Sequence, residues 1–159
     1  MNRLDWLVER YDIEKDKPTI FLSGAMTGLS EDEQKGWRDT LKMRFGDKYI
    51  FFDPTIFDAE DTSDKAQQIA HDYDIESIAQ CDYFIVNLNK VETSVGTCQE
   101  IMLAWLLSKK IIGFFPTGNL VKPLHPWIKN KLTFKMYNMK ALSYFLELTY
   151  YEKWCKKCK

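Results

Sequence analysis

Two patterns of apolar spacing alternate along this chain. Short, nearly continuous apolar or β-branched runs at residues 19–23, 49–53, 81–88 and 111–115 read as strands. Longer stretches of mixed polarity between them, at residues 30–44, 64–80 and 97–108, read as helices. Each of those helices opens on a capping signature: Ser30 with Glu33, Asp64 with Gln67, and Thr97 with Glu100. Residues 1–11 read as a short amphipathic helix with Leu4, Leu7 and Val8 on one face, and Pro18 closes the linker after it. Residues 127–131 and 141–151 read as helical, with a short strand near 132–137.

Strands separated by helices imply βαβ units and a mainly parallel sheet. Ligands of such sheets sit beyond the carboxyl ends of the strands. Three loops meet there, at residues 23–28, 53–58 and 87–96. The length of 159 residues suits one domain, and a chain of this size buries about 68–70% of its extended surface.

Charge and composition narrow the function. Lys and Arg number 22 and Asp and Glu 23, a net charge of −1. Such a balance gives no field for holding a polyanion, so nucleic acid is not expected as a partner. A single small phosphate held by backbone N–H groups remains compatible. No apolar run approaches the ~20 residues of a membrane span. The first ten residues carry charges throughout, without an apolar signal core. A cytoplasmic protein with no membrane partner is therefore expected. Cys81 and Cys98 stand singly in apolar surroundings and read as core thiols. Cys155 and Cys158 form a C-x-x-C in a basic tail, but zinc needs four ligands and no second pair is present. No metal is expected.

Three segments carry candidate chemistry. Ser23-Gly24-Ala25-Met26-Thr27-Gly28 follows a strand and precedes a helix, where backbone N–H groups can meet sugar or phosphate oxygens. It is neither a dinucleotide fingerprint nor a P-loop, and a plain strand-to-helix turn explains it equally well. Ser94-Val95-Gly96-Thr97-Cys98-Gln99-Glu100 places Glu100 in the first turn of a helix, whose positive end favours a carboxylate. An ionised carboxylate is what covalent glycosyl transfer needs; a capping box with Thr97 needs no chemistry at all. In His71-Asp72-Tyr73-Asp74, aspartate is a poor mid-helix residue. Asp74 reads as purposeful, Asp72 as a solvated face and Asp82 as a helix-to-strand junction.

In order and spacing, these segments resemble the nucleoside 2-deoxyribosyltransferase family. The residues that carry the resemblance are 20–28, the stretch Asp74-Ile75-Glu76-Ser77-Ile78-Ala79-Gln80-Cys81-Asp82, and 94–100, within a matching core of residues 18–128. The resemblance implies an α/β fold. It is a single doubly wound, flavodoxin- or Rossmann-like domain over residues 1–159, with a five-stranded, mainly parallel sheet and a helical C-terminal segment at 127–154. It implies that Glu100 attacks C1′ of a 2-deoxyribose, that the base leaves, and that another base or water resolves the deoxyribosyl ester. It gives Asp74 the role of protonating the base. It gives substrate contacts to Ser23, Gly24, Met26, Thr27, Asp53, Ser94, Gly96, Thr97 and His125. It implies no cofactor. The partners it implies are a deoxynucleoside or deoxynucleotide and a free base, in a homo-oligomer, dimer or higher, whose neighbour completes each site near His125.

Ser94, Met26 and Thr27 depart from the family. Ser94 stands where the family's transferases carry an aspartate, as in the related 2′-deoxynucleoside 5′-phosphate N-hydrolases. Met26 and Thr27 stand where those hydrolases carry an arginine. Two other classes of function fit the same pattern. One is a nucleotide-binding or sensor module without turnover, which would not need Glu100. The other is an interaction protein using the aromatic residues between Trp127 and Trp154.

Overall fold

The computed structural model describes residues 17–57 and 61–156. The helix expected at residues 1–11, Asp58 and Cys158 lie outside the described residues. β1 (Thr19–Gly24) leads into α1 (Glu31–Phe45), β2 (Ile50–Phe52), α2 (Asp64–Gln80) and β3 (Tyr83–Asn87). There follow α3 (Val95–Leu106), β4 (Lys110–Phe114), the short α4 (Pro126–Lys129), β5 (Phe134–Met136) and α5 (Met139–Lys153). All neighbouring strands pair in parallel, in the order β2-β1-β3-β4-β5. That is the doubly wound order, and the expected five-stranded α/β sheet is the one observed.

The central strands β1 and β3 are buried along their whole length, as their unbroken apolar runs require. Two cores result. On one face Trp37, Leu41 and Phe45 of α1 and Leu142 and Leu146 of α5 pack on Ile20, Leu22 and Ile85. On the other, Ile78 of α2, Ile101 and Ala104 of α3 and Ile128 of α4 pack on Phe21, Phe84 and Val86. Burying each such Leu or Ile stabilises the fold by about 1.5–3 kcal/mol. Among the described residues no helix is long and apolar enough to cross a membrane.

The caps separate one correct expectation from two that shift. Ser30 and Glu33 form both halves of the expected capping box on α1. α2 is capped by Ser63, one residue before the expected Asp64, and Gln67 reaches the carbonyl of Thr62 instead. α3 begins at Val95 and is capped by Ser94, whose hydroxyl accepts from the backbone of Thr97. Glu100 therefore lies in the second turn of α3, not the first, and its side chain is turned away from the cap.

Candidate active site

At the carboxyl ends of β1 and β3 the chain reverses direction across the sheet, and the loops there frame the site. Leu29 closes a turn onto the carbonyl of Met26 at 3.1 Å. Gly28 sits in that turn with φ 75°, a conformation glycine adopts without strain. Gly24 is needed for a different reason. A Cβ there would stand 3.2 Å from both Asn87 Cβ and the Trp37 ring.

Ser23, wholly buried at the end of β1, donates its hydroxyl to Glu100 Oε2 at 2.5 Å. Glu100 is half-buried. Burial pushes its carboxyl above the ordinary range, and the Ser23 hydrogen bond and the charge of Arg38 offset that rise only in part. The capping-box explanation of Glu100 is thereby overturned: the carboxylate bonds across the fold to β1.

Asp74 on α2 is the second carboxylate of the cluster. Its Oδ1 is buried and has no hydrogen-bond partner among the described residues. Burial first, and the nearby Glu100 second, push its carboxyl up to about 7, against the opposing charge of Arg38. The negative charge of Glu100 thus favours the protonated form of Asp74. Asp74 also lines a cleft of about 670 Å³ with Met26, Gln34, Thr55, Phe57 and Ala70, a volume suited to a small ligand. Glu100 does not line that cleft.

The other expected contacts divide. Met26 and Thr27 lie exposed in the first turn, Met26 on the cleft wall. Ser94 and Thr97 share a hydrogen bond between their hydroxyls at 2.8 Å, at the N-terminus of α3. Gly96 is exposed beside them, with open space where a Cβ would lie. Asp53 is buried and turned inward. Its oxygens accept from Lys42 at 2.7 Å and from the backbone and hydroxyl of Thr55 at 2.9 and 2.7 Å. Burial alone would raise its carboxyl, but these donors prevail and hold it below the ordinary value. Asp53 thus orders the loop after β2. His125 caps α4 by accepting from the backbone of Trp127 at 3.3 Å. It lines a separate apolar groove with Val95, Gln99, Met102 and Trp127. Within one chain, it is not gathered with Ser23, Asp74 and Glu100.

The plain readings of Asp72 and Asp82 hold. Asp72 accepts from Gln68 on the outer face of α2. Asp82 ties β3 to β1 by accepting from the backbone and hydroxyl of Thr19 at 2.7 and 3.0 Å.

Sequence reasoning missed Arg38. Its guanidinium is buried under the first loop, and its charge acts on Asp53, Glu100 and Asp74 together. The signal was there: Arg38 interrupts the apolar stripe of Trp37, Leu41 and Phe45 on α1, where a cation needs buried partners.

Residues 18–113 match the family described as a domain of unknown function, DUF4406. No curated protein matches the sequence. Among solved structures, the chain is similar to the 2-deoxyribosyltransferase of the psychrotolerant bacterium Bacillus psychrosaccharolyticus. That likeness has 18% identity and a TM-score of 0.67, over 83% of this chain and 95% of that one. It is similar to the Clostridium botulinum CMP N-glycosidase BcmB at 21% identity and a TM-score of 0.55, over 81% and 98% of the two chains. A conserved protein from Enterococcus faecalis V583 matches at 10% identity and a TM-score of 0.61, over 81% and 99%. At such identities these likenesses carry the fold.

Proposed function

The chain belongs to the DUF4406 family, and we propose that it is an enzyme that cleaves the N-glycosidic bond of 2′-deoxynucleosides or their 5′-monophosphates. The observation that carries this reading is the pairing of two unlike carboxyl groups at the carboxyl end of the sheet. Glu100 is bonded by Ser23; Asp74 has a buried Oδ1 with no hydrogen-bond partner among the described residues and holds its proton up to about 7. Two carboxyl groups with unlike surroundings in one site can divide nucleophile and acid between them. The names of two similar structures, a deoxyribosyltransferase and an N-glycosidase, point to the same bond.

In the reaction, a carboxylate oxygen of Glu100 attacks C1′ as the bond from C1′ to the base nitrogen breaks. The electron pair of that bond leaves with the base, and Asp74 supplies the proton. The deoxyribosyl ester on Glu100 is then opened at C1′ by a second base or by water, whose proton returns to Asp74 as the Glu100 carboxylate is released. Ser94, Gly96 and Thr97 at the N-terminus of α3 suit a 5′-phosphate, and Ser94 adds no negative charge there to repel it. The groove lined by His125 and Trp127, with Trp127 67% exposed, is the face through which a second copy completes the site.

The test is incubation with a panel of deoxynucleosides and their monophosphates, with and without an acceptor base. Chromatography should show released or exchanged base, lost in Glu100→Gln. An inactive wild-type protein that still binds the nucleotides would instead support a binding module.

A further inference from the structure

Arg38 is the most completely buried charged side chain described, with no exposed surface. The sheet explains what holds it there. Backbone groups of β1 alternate between its two neighbours. The carbonyl of Pro18 accepts from Ile50 on the β2 side at 2.9 Å, and that of Thr19 accepts from Asp82 on the β3 side at 2.9 Å. Leu22 and Gly24 therefore face β2, in step with Pro18. β2 stops pairing at Phe52, opposite Phe21. Two residues on, where the ladder would next serve Leu22, stands Pro54, which has no N–H. Two buried carbonyls at the end of β1 are left without a strand donor, which is costly unless another group supplies one.

Arg38 supplies it. Its Nε donates to the carbonyl of Leu22 at 3.3 Å and its Nη2 to that of Gly24 at 3.3 Å. Nη1 donates to the carbonyl of Gln34 on its own helix. Asp53 Oδ1 lies 3.6 Å from Nε, and the guanidinium lies 4.5 Å from the centroid of the Trp37 ring. The residue between the two clasped carbonyls is Ser23, whose hydroxyl meets Glu100. We infer that Arg38 is a positioning residue: standing in for the strand donors that β2 loses at Pro54, it fixes Ser23 and, through Ser23, the carboxylate of Glu100. A planar fork can serve two carbonyls and a carboxylate at once; a lysine ammonium at that position cannot do so in the same geometry. The inference rests on the reading of Glu100 as nucleophile.

The test is a kinetic double-mutant cycle with Arg38→Lys and Ser23→Ala. Arg38→Lys should lower kcat by roughly 10²-fold, the cost of misplacing a reacting group by about 1 Å, with KM little changed. The double variant should be no slower than the slower single variant, because the first change already removes what the second acts on. Losses that multiply would overturn the inference. A wild-type protein that releases no base would sink the reading of Glu100 alone. For that case, or if Arg38→Lys does not fold, the wild-type NMR spectrum decides. The Arg38 Nε–H signal should exchange slowly and shift with the titration of the Glu100 carboxyl, and that shift should vanish in Ser23→Ala. A fast-exchanging signal, or one indifferent to Glu100, would overturn the inference.

Discussion

Asp74 and Asp82 lie eight residues apart, one within α2 and the other just past its end, and they meet opposite fates. Asp82, at the amino end of the sheet, takes the backbone N–H and hydroxyl of Thr19 and stitches β1 to β3. Asp74, at the carboxyl end, has a buried oxygen with no hydrogen-bond partner among the described residues and lies near the Glu100 carboxylate. Donors make a sheltered carboxylate structural. Their absence leaves a group that prefers its proton, which is a cost to folding and a resource for chemistry.

The largest expected effect separates the two by activity. Asp74→Asn should lower kcat for ordinary substrates by ~10²–10⁴-fold, and much less for substrates whose leaving base needs no proton. Equal losses for both substrate types would mean that Asp74 only positions the ligand. Asp82→Asn should leave activity per folded molecule unchanged. It should instead cost about 1–3 kcal/mol of stability in denaturant unfolding, the usual penalty for breaking a charge-assisted hydrogen bond. A large kinetic defect in Asp82→Asn would break the comparison.

A subtler difference is in the pH dependence of stability. The Asp74 carboxyl is raised in the folded protein to about 7 from an ordinary 3.8. Its stabilising contribution is therefore complete below about pH 4 and is lost as pH rises toward and through 7. Asp74→Asn removes that dependence. Its melting temperature should exceed that of the wild type at pH 8, and the gap should close at pH 4. A variant less stable than wild type at pH 8 would show that Asp74 has a hidden partner. The smallest expected effect concerns Ser94. Ser94→Asp should lower kcat/KM for a deoxynucleoside 5′-monophosphate relative to the deoxynucleoside, by like-charge repulsion. An unchanged ratio would remove Ser94 from the phosphate contact.

Local signals carried most of the fold. The apolar runs of β1 and β3 and the Ser30–Glu33 box read correctly because each depends on a few neighbouring residues. The start of α3 did not, because Ser94 and Thr97 are both good caps three residues apart, and each has a plausible partner three residues further on. Only the bond from Ser23 shows that Glu100 joins the end of β1 and not the cap. Arg38 could be noticed as a break in the apolar stripe of α1, but its role was illegible for a similar reason. Its partners are carbonyls of β1 left over because β2 ends at a proline, a fact of register that no single segment contains. Asp74 was visible as an anomaly in a helix, but its missing partner belongs to the packed state.

The central claim is that Glu100 forms a covalent bond to the sugar, and a slow-turnover 2-fluoro-2-deoxy nucleoside tests it most directly. Mass spectrometry of the digested protein should find the fluorinated sugar on the peptide containing Glu100, discharged by added acceptor base. No adduct should form in Glu100→Gln, which should remain folded and release no base. An adduct on another residue, or base release by Glu100→Gln at the wild-type rate, would contradict the account.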